Sequence, residues 1–174
     1  MKLLKTIYHD KNINLEGKTF FREAVRGIIF CARKILMIYS PIYGDYKFPG
    51  GGVHAEERHI EALRREIIEE CGAEMTEVTG ELGKTQEYAI NQKEEDYETF
   101  KMTSYYYFCE IKGKLGAQNL DDYEEKLGYK PEWVDIDIAI EKNKQIEVNS
   151  NSFSTWRNRE TFVLEELKKK MSFT

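Results

Sequence analysis

Three glutamates, Glu66, Glu69 and Glu70, stand at positions i, i+3 and i+4 of a segment that also holds Arg65. In a helix each residue advances about 100°, so the three carboxylates fall within roughly one third of the circumference. Like charges gathered so closely repel each other. A hard divalent cation, Mg2+ or Mn2+, is the natural compensation, because oxygen ligands suit it. Arg65 lies four residues before Glu69 and supplies an internal counter-charge that can fix a carboxylate through a forked hydrogen bond. Upstream, Gly50-Gly51-Gly52 lets the backbone approach a ligand or metal, and a carbonyl from that turn can complete a coordination sphere. No Gly-Lys-Ser/Thr follows, so the run is not a Walker phosphate loop.

These groups need elements to hold them. Ile60, Leu63 and Ile67 recur at spacings of three and four, which predicts a helix from about Glu56 to Cys71 with these residues toward the core. Glu56 and Glu57 would occupy its first turn, where acids suit the helix dipole. Gly72 would cap its C-terminus, and Glu70, as a ligand at a metal site, is expected to face solvent. Ala24 to Phe30 and Ile35 to Tyr39 are β-forming runs joined by Ala32-Arg33-Lys34, a hairpin signature. The first segment, to about Gly17, is expected to be a strand pair. Thr85 to Ile90 and Met102 to Ile111 read as strands. Alternate residues of Tyr105 to Tyr107 must face opposite ways, so at least one packs in the core. Glu132-Trp133-Val134 is a short strand before a helix near Asp137 to Lys142. The tail, from about Ser154 to Lys170, reads as an amphipathic helix with Trp156, Val163, Leu167 and Met171 on one stripe. This order predicts an α/β fold with helices packed on a mixed sheet.

The bulk properties set outer bounds. A chain of 174 residues suits a single domain, 1–174, with a full core. Eleven Tyr and nine Phe argue against disorder. No apolar run approaches the ~20 residues needed to span a bilayer, and the N-terminus lacks a signal-peptide core. A cytoplasmic location is the expectation. Cys31, Cys71 and Cys109 form neither a disulfide framework nor a zinc pattern. The net charge of −5 disfavours a general grip on long nucleic acid, but not a small phosphorylated ligand bridged by a metal ion. The first segment and the tail helix are the two candidate surfaces for a homodimer.

The frame Gly51, Glu57, Arg65-Glu66, Glu69-Glu70 and Gly72 resembles the Nudix box, Gly-x5-Glu-x7-Arg-Glu-U-x-Glu-Glu-x-Gly-U, where U is a bulky aliphatic residue. Ile67 takes the first U, and Ala73, smaller than usual, the last. The preceding Tyr46-Lys47-Phe48-Pro49-Gly50-Gly51 resembles the family's aromatic lead-in, with Tyr46 where Trp is frequent. The resemblance implies an α/β/α sandwich and a metal-dependent pyrophosphohydrolase acting on a small nucleotide-like substrate. Glu66, Glu69 and Glu70 would bind Mg2+ or Mn2+, with the Gly51 carbonyl as a further ligand. Glu66 would also orient or deprotonate water, Arg65 would hold a catalytic glutamate by an ion pair, and Glu57 would support them.

Many family members take a general base from outside the box. Glu125 is the first choice here, with Glu124, Glu132, Glu94 and Glu95 as alternatives. Arg26 and Lys47, with Arg22 and Arg58, are the cations expected to meet substrate phosphates. Tyr46, Tyr88 or the Tyr105 to Tyr107 strand would stack a base. No proline occurs between Pro49 and Pro131, which departs from the family's ADP-ribose members. Tyr88 lies where diadenosine-polyphosphate members tend to carry tyrosine. The substrate expected is therefore a nucleoside triphosphate or a dinucleoside polyphosphate. A different class of reading is a catalytically silent Nudix-fold module that binds nucleotides or regulates. RNA 5′-end processing is a third.

Overall fold

A computed structural model of the chain describes residues 1–92, 96–146 and 156–171, with Trp156 described only in its backbone. Its strands are β1 (Leu3–Tyr8), β2 (Thr19–Ile28), β3 (Phe30–Cys31), β4 (Lys34–Ser40), β5 (Asp45–Lys47), β6 (Glu74–Ile90), β7 (Thr99–Lys112) and β8 (Lys130–Asp135). Its helices are α1 (His59–Cys71), α2 (Asp122–Leu127), α3 (Ile136–Gln145) and α4 (Trp156–Met171).

The larger sheet has the order β1-β6-β7-β2 and is mixed. β6 and β7 run antiparallel, while β1 pairs parallel with β6 and β2 parallel with β7. In the smaller sheet β4 is central, flanked by β8 on one edge and by β3 and β5 on the other. The strict alternation of β4 shows how the layers arise. Leu36 and Ile38 join a core with Leu63 and Ile67 of α1, whereas Ile35 and Met37 join one with Ile140 of α3 and Leu164 of α4. Helices therefore cover both faces, giving the expected α/β/α sandwich. No described helix is long and apolar enough to cross a membrane.

Several expectations change in detail. The hairpin exists, but it is the short β3–β4 turn with Ala32 in the left-handed region at φ 54°. β2 instead pairs along its whole length with β7. The first segment supplies one strand, not a pair, and that strand is recruited to the edge of β6. The helix begins at His59, behind an extended Arg58, so Glu56 and Glu57 precede it. Ile60 is exposed, and the buried face of α1 is Ala62, Leu63, Glu66, Ile67, Glu70 and Cys71. Two carboxylates thus lie on the core side of the helix. Met171 is exposed too, while Glu160 takes a buried place four residues before Leu164. Gly72 is the left-handed cap expected, with its N–H donating to the Ile68 carbonyl.

The α4 face carries a buried ion network. Arg159 donates to Glu87 and to Glu160, and Glu160 accepts the Phe48 backbone N–H at 3.1 Å. Burial pushes the Glu87 carboxyl up, but the Arg159 charge, with hydrogen bonds from His9 and Arg159, outweighs it and holds the group at about 2. A depressed carboxyl gives stability that is present above its ordinary 4.5 and lost as pH falls from there toward about 2. Glu87→Gln should cost about 3 kcal/mol at neutral pH and flatten the loss of stability between pH 4.5 and 2, read by urea unfolding. A mutant whose stability falls as steeply as wild type in that window would refute this role for Glu87.

Candidate functional site

The loop after β5 runs back along the free edge of β2. Gly27 donates its N–H to the Pro49 carbonyl at 2.8 Å, Val25 to Gly51 at 3.0 Å, and Val53 to Glu23 at 3.0 Å. This lays the three glycines between the sheet edge and α1. At Gly50, with φ 131°, a Cβ would stand 2.1 Å from the Val25 carbonyl oxygen. At Gly51 a Cβ would stand 2.5 Å from Glu66 Oε1, so only glycine leaves the Glu66 carboxylate its place against the loop.

Arg65 organises the acidic groups. Its Nε and Nη2 donate to the two oxygens of Glu57 at 2.9 and 3.0 Å. Nη1 donates to Glu66 Oε1 at 2.7 Å and Glu69 Oε2 at 3.0 Å, and Nη2 also reaches the Gly52 carbonyl at 3.0 Å. One guanidinium thus ties together three carboxylates and the glycine loop. Hydrogen bonding to Arg65 holds the Glu57 carboxyl at about 2, and it pushes Arg65 itself up. Burial has the opposite effect on Glu66, whose carboxyl is raised despite the Arg65 charge beside it.

Glu70 departs from expectation. It is fully buried, with Oε1 accepting from Lys47 Nζ at 2.6 Å and Oε2 from the Gly50 N–H at 2.6 Å. It anchors the loop rather than facing solvent. Lys47 is correspondingly committed: it also lies 3.5 Å from Glu124 and 4.3 Å from the Tyr129 ring centre. Arg26 is buried and donates to the Gly50 carbonyl, so it too holds the loop. Tyr46 is 4% exposed, with its ring in the α3–α4 core and its hydroxyl donating to Glu132 at 2.9 Å. A core ring is not placed to stack a base. Arg58 is spent on an exposed pair with Glu61. Tyr88 lies away from the glycine loop, stacked on Tyr8.

Of the candidate bases, Glu125 is exposed. Glu124, its neighbour on α2, is half-buried and faces Lys47. Burial, and then the Glu70 charge, raises its carboxyl. Glu132 is occupied by Tyr46, and Glu94 and Glu95 lie outside the described residues. Sequence reasoning missed the supporting groups. Glu160 fixes Phe48, and Asn143 brackets Tyr46 through its backbone N–H and carbonyl, so α3 and α4 both hold the strand that leads into the loop. The signal for Glu160 was a charged residue at a stripe position, four residues after Trp156 and four before Leu164. Gln118 and the Asn119 N–H bond the carbonyls of Glu70 and Glu69, closing the C-terminus of α1.

Among the described residues, no three His, Cys, Asp or Glu side chains converge closely enough to hold a metal as they stand. The donor chemistry fits a hard divalent ion nonetheless. Glu66 and Glu69 each keep one oxygen without a hydrogen bond among the described residues, and the Gly51 carbonyl lies on the same loop with one lone pair used by Val25.

Comparison with known proteins gives the chain its relatives. The profile of the NUDIX domain matches residues 21–156. A "Diphosphoinositol polyphosphate phosphohydrolase 2" from Rattus norvegicus is 31% identical over 72% of this chain and 66% of its own length. The chain thus spans just under two thirds of that protein. "Nucleoside triphosphatase NudI" from Escherichia coli is 31% identical over 59% of this chain and 76% of its own length. The architecture is similar to that of a MutT protein from Bacillus halodurans, with a TM-score of 0.55 and 18% identity over 82% of each chain.

Glu70→Gln should fold but lose about 2 kcal/mol, because a buried charge-assisted pair with Lys47 becomes a neutral contact. Thermal unfolding checks this; an unchanged midpoint would mean that Glu70 does not anchor the loop.

Proposed function

The chain belongs to the NUDIX hydrolase family, and from that premise we propose that it hydrolyses a pyrophosphate bond in a nucleoside triphosphate or dinucleoside polyphosphate, assisted by Mg2+ or Mn2+. The observation that carries this reading is the Arg65 fork, which gathers Glu57, Glu66 and Glu69 against the Gly51–Gly52 loop. Such a cluster makes chemical sense as a seat for a cation and the anionic substrate it accompanies. The triphosphatase name of the Escherichia coli relative supports a nucleoside triphosphate. The rat relative's name supports a pyrophosphate on a different carrier, so the shared element is the pyrophosphate itself.

Glu66 and Glu69 would hold the ion through their free oxygens, with the Gly51 carbonyl beside them. The ion, when bound, would screen the charge of the pyrophosphate oxygens and favour ionisation of water. The protein's own residues do the rest. Arg65 keeps Glu66 and Glu69 from turning away, and the Glu70–Lys47 pair keeps the loop against α1. Glu124 stands next to Lys47 with a carboxyl that burial has made more basic than usual. It is the residue we assign to take the proton as water attacks phosphorus, while the departing phosphate leaves with the P–O bonding pair.

A screen of nucleoside triphosphates and dinucleoside polyphosphates with Mg2+ or Mn2+, reading released products, tests the activity. Turnover that chelation abolishes is expected; no turnover on any of them would favour a silent binding module. Within an active enzyme, Glu124→Gln should lower kcat about 10²- to 10⁴-fold with little change in KM, and Glu125→Gln should stay near wild type. The reverse pattern would move the base to Glu125.

A further inference from the structure

α1 covers only part of its face of the large sheet. It starts at His59, whose ring lies 4.3 Å from Tyr105 and whose Nε2 is 3.2 Å from Glu23. Past that point the strand register sets two further rows. The nearer is Thr6, Gln86, Thr103 and Glu23, one residue from each of β1, β6, β7 and β2. The outer row is Tyr8, Tyr88, Lys101 and Phe21. Tyr8 and Tyr88 stack with ring centres 5.3 Å apart, and Lys101 stands between two rings, 5.2 Å from Tyr88 and 5.7 Å from Phe21. Tyr8 is 56% exposed and Phe21 68% exposed. Two of the three rings in this row are largely exposed, an apolar patch of the kind that marks a binding surface.

We propose that this face is a binding surface for unpaired nucleobases of a short single-stranded nucleic acid, separate from the pyrophosphatase site. Every base has a π-face, so aromatic side chains on an open sheet grip single strands with little sequence preference. Tyr88 and Phe21 lie two strands apart, about 10 Å at normal strand spacing, and a base stacks on either ring once the Lys101 ammonium, which lies over both, swings toward a phosphate. In the inner row Thr6 and Gln86, both partly exposed, offer a hydroxyl and an amide to base edges, while Thr103 is buried. Charge points the same way. Lys101 and Lys84 lie on this face, with Lys84 5.7 Å from the Tyr105 ring centre. The carboxylate of Glu23 is already engaged by the Tyr105 hydroxyl at 2.7 Å and by His59. The Tyr105 hydroxyl holds the Glu23 carboxyl below its usual range, so this face carries one carboxylate beside its two lysines. Duplex recognition is not expected, because two lysines displace few counterions.

The test is fluorescence anisotropy of labelled eight-nucleotide RNA, eight-nucleotide DNA and a matching duplex, titrated with the full-length chain. Both single strands should bind and the duplex should not; preference for the RNA would identify the 2′-hydroxyl as part of recognition. Phe21→Ala, at an exposed position that the core does not need, should weaken single-strand binding about 5- to 100-fold, the loss of one base stack. Lys101→Ala should weaken it and lessen its salt dependence. Absence of single-strand binding, or equal binding by Phe21→Ala, overturns the proposal. So does a wild-type dimer, seen by sedimentation, that Phe21→Ala dissociates, since the face would then belong to a second copy. Binding is read without turnover, so failure here leaves the hydrolase reading standing, and an inactive enzyme leaves this one standing.

Discussion

The guanidinium of Arg65 is the group on which the rest of the site depends. A helix that carries Glu66 and Glu69 on adjoining positions, with Glu57 folded back beside them, is electrostatically unfavourable by itself. Arg65 relieves that repulsion with four hydrogen bonds to carboxylates, and a fifth to the Gly52 carbonyl fixes the loop in the same act. Its planar fork matters here as much as its charge, because it reaches several acceptors in fixed directions. Beyond the backbone bonds to β2, two further loop contacts also come from charged side chains. Glu70 takes the Gly50 N–H, and Arg26 donates to the Gly50 carbonyl. A glycine loop without side chains of its own is thereby held by charges from α1 and β2.

The same constraint reaches the far side of the sandwich. Phe48, just before Pro49, is bonded to Glu160 of α4, which shares Arg159 with Glu87 on β6. Tyr46 is bracketed by Asn143 of α3. Buried ions of this sort add little net stability compared with apolar packing. What they supply is position: the strand entering the loop is registered against two helices and the large sheet at once. The site is thus a property of the whole fold, although its acidic residues lie on one helix.

Much of this was legible in the sequence, and the reasons for the rest are physical. The Glu57–Gly72 frame declared itself through fixed spacing, because helix geometry ties spacing to angle. Strand and helix positions followed from periodicity, and Gly72 from its capping role. Pairing partners did not follow. That β2 joins β7 in parallel, and that β1 is a lone edge strand, depends on long-range packing that local patterns do not carry. The burial of charged groups does not follow from local pattern for the same reason. Glu70, Lys47 and Arg26 each bond a backbone atom or another ion brought from elsewhere in the chain, which local sequence does not reveal. Glu124 and Glu125 are adjacent in sequence, and only the way α2 packs separates the one facing Lys47 from the one facing water.

The central claim is that the fork of Arg65, and not merely a positive charge at that position, keeps the carboxylates ready. The most direct measurement is kcat for Arg65→Lys on a nucleoside triphosphate at saturating Mg2+, alongside circular dichroism to confirm the fold. Lysine keeps the charge but cannot make paired, planar hydrogen bonds. The account predicts a folded protein whose kcat falls at least about 100-fold, on the order of the effect of one lost preorganised donor. A folded Arg65→Lys enzyme with wild-type kcat would contradict it.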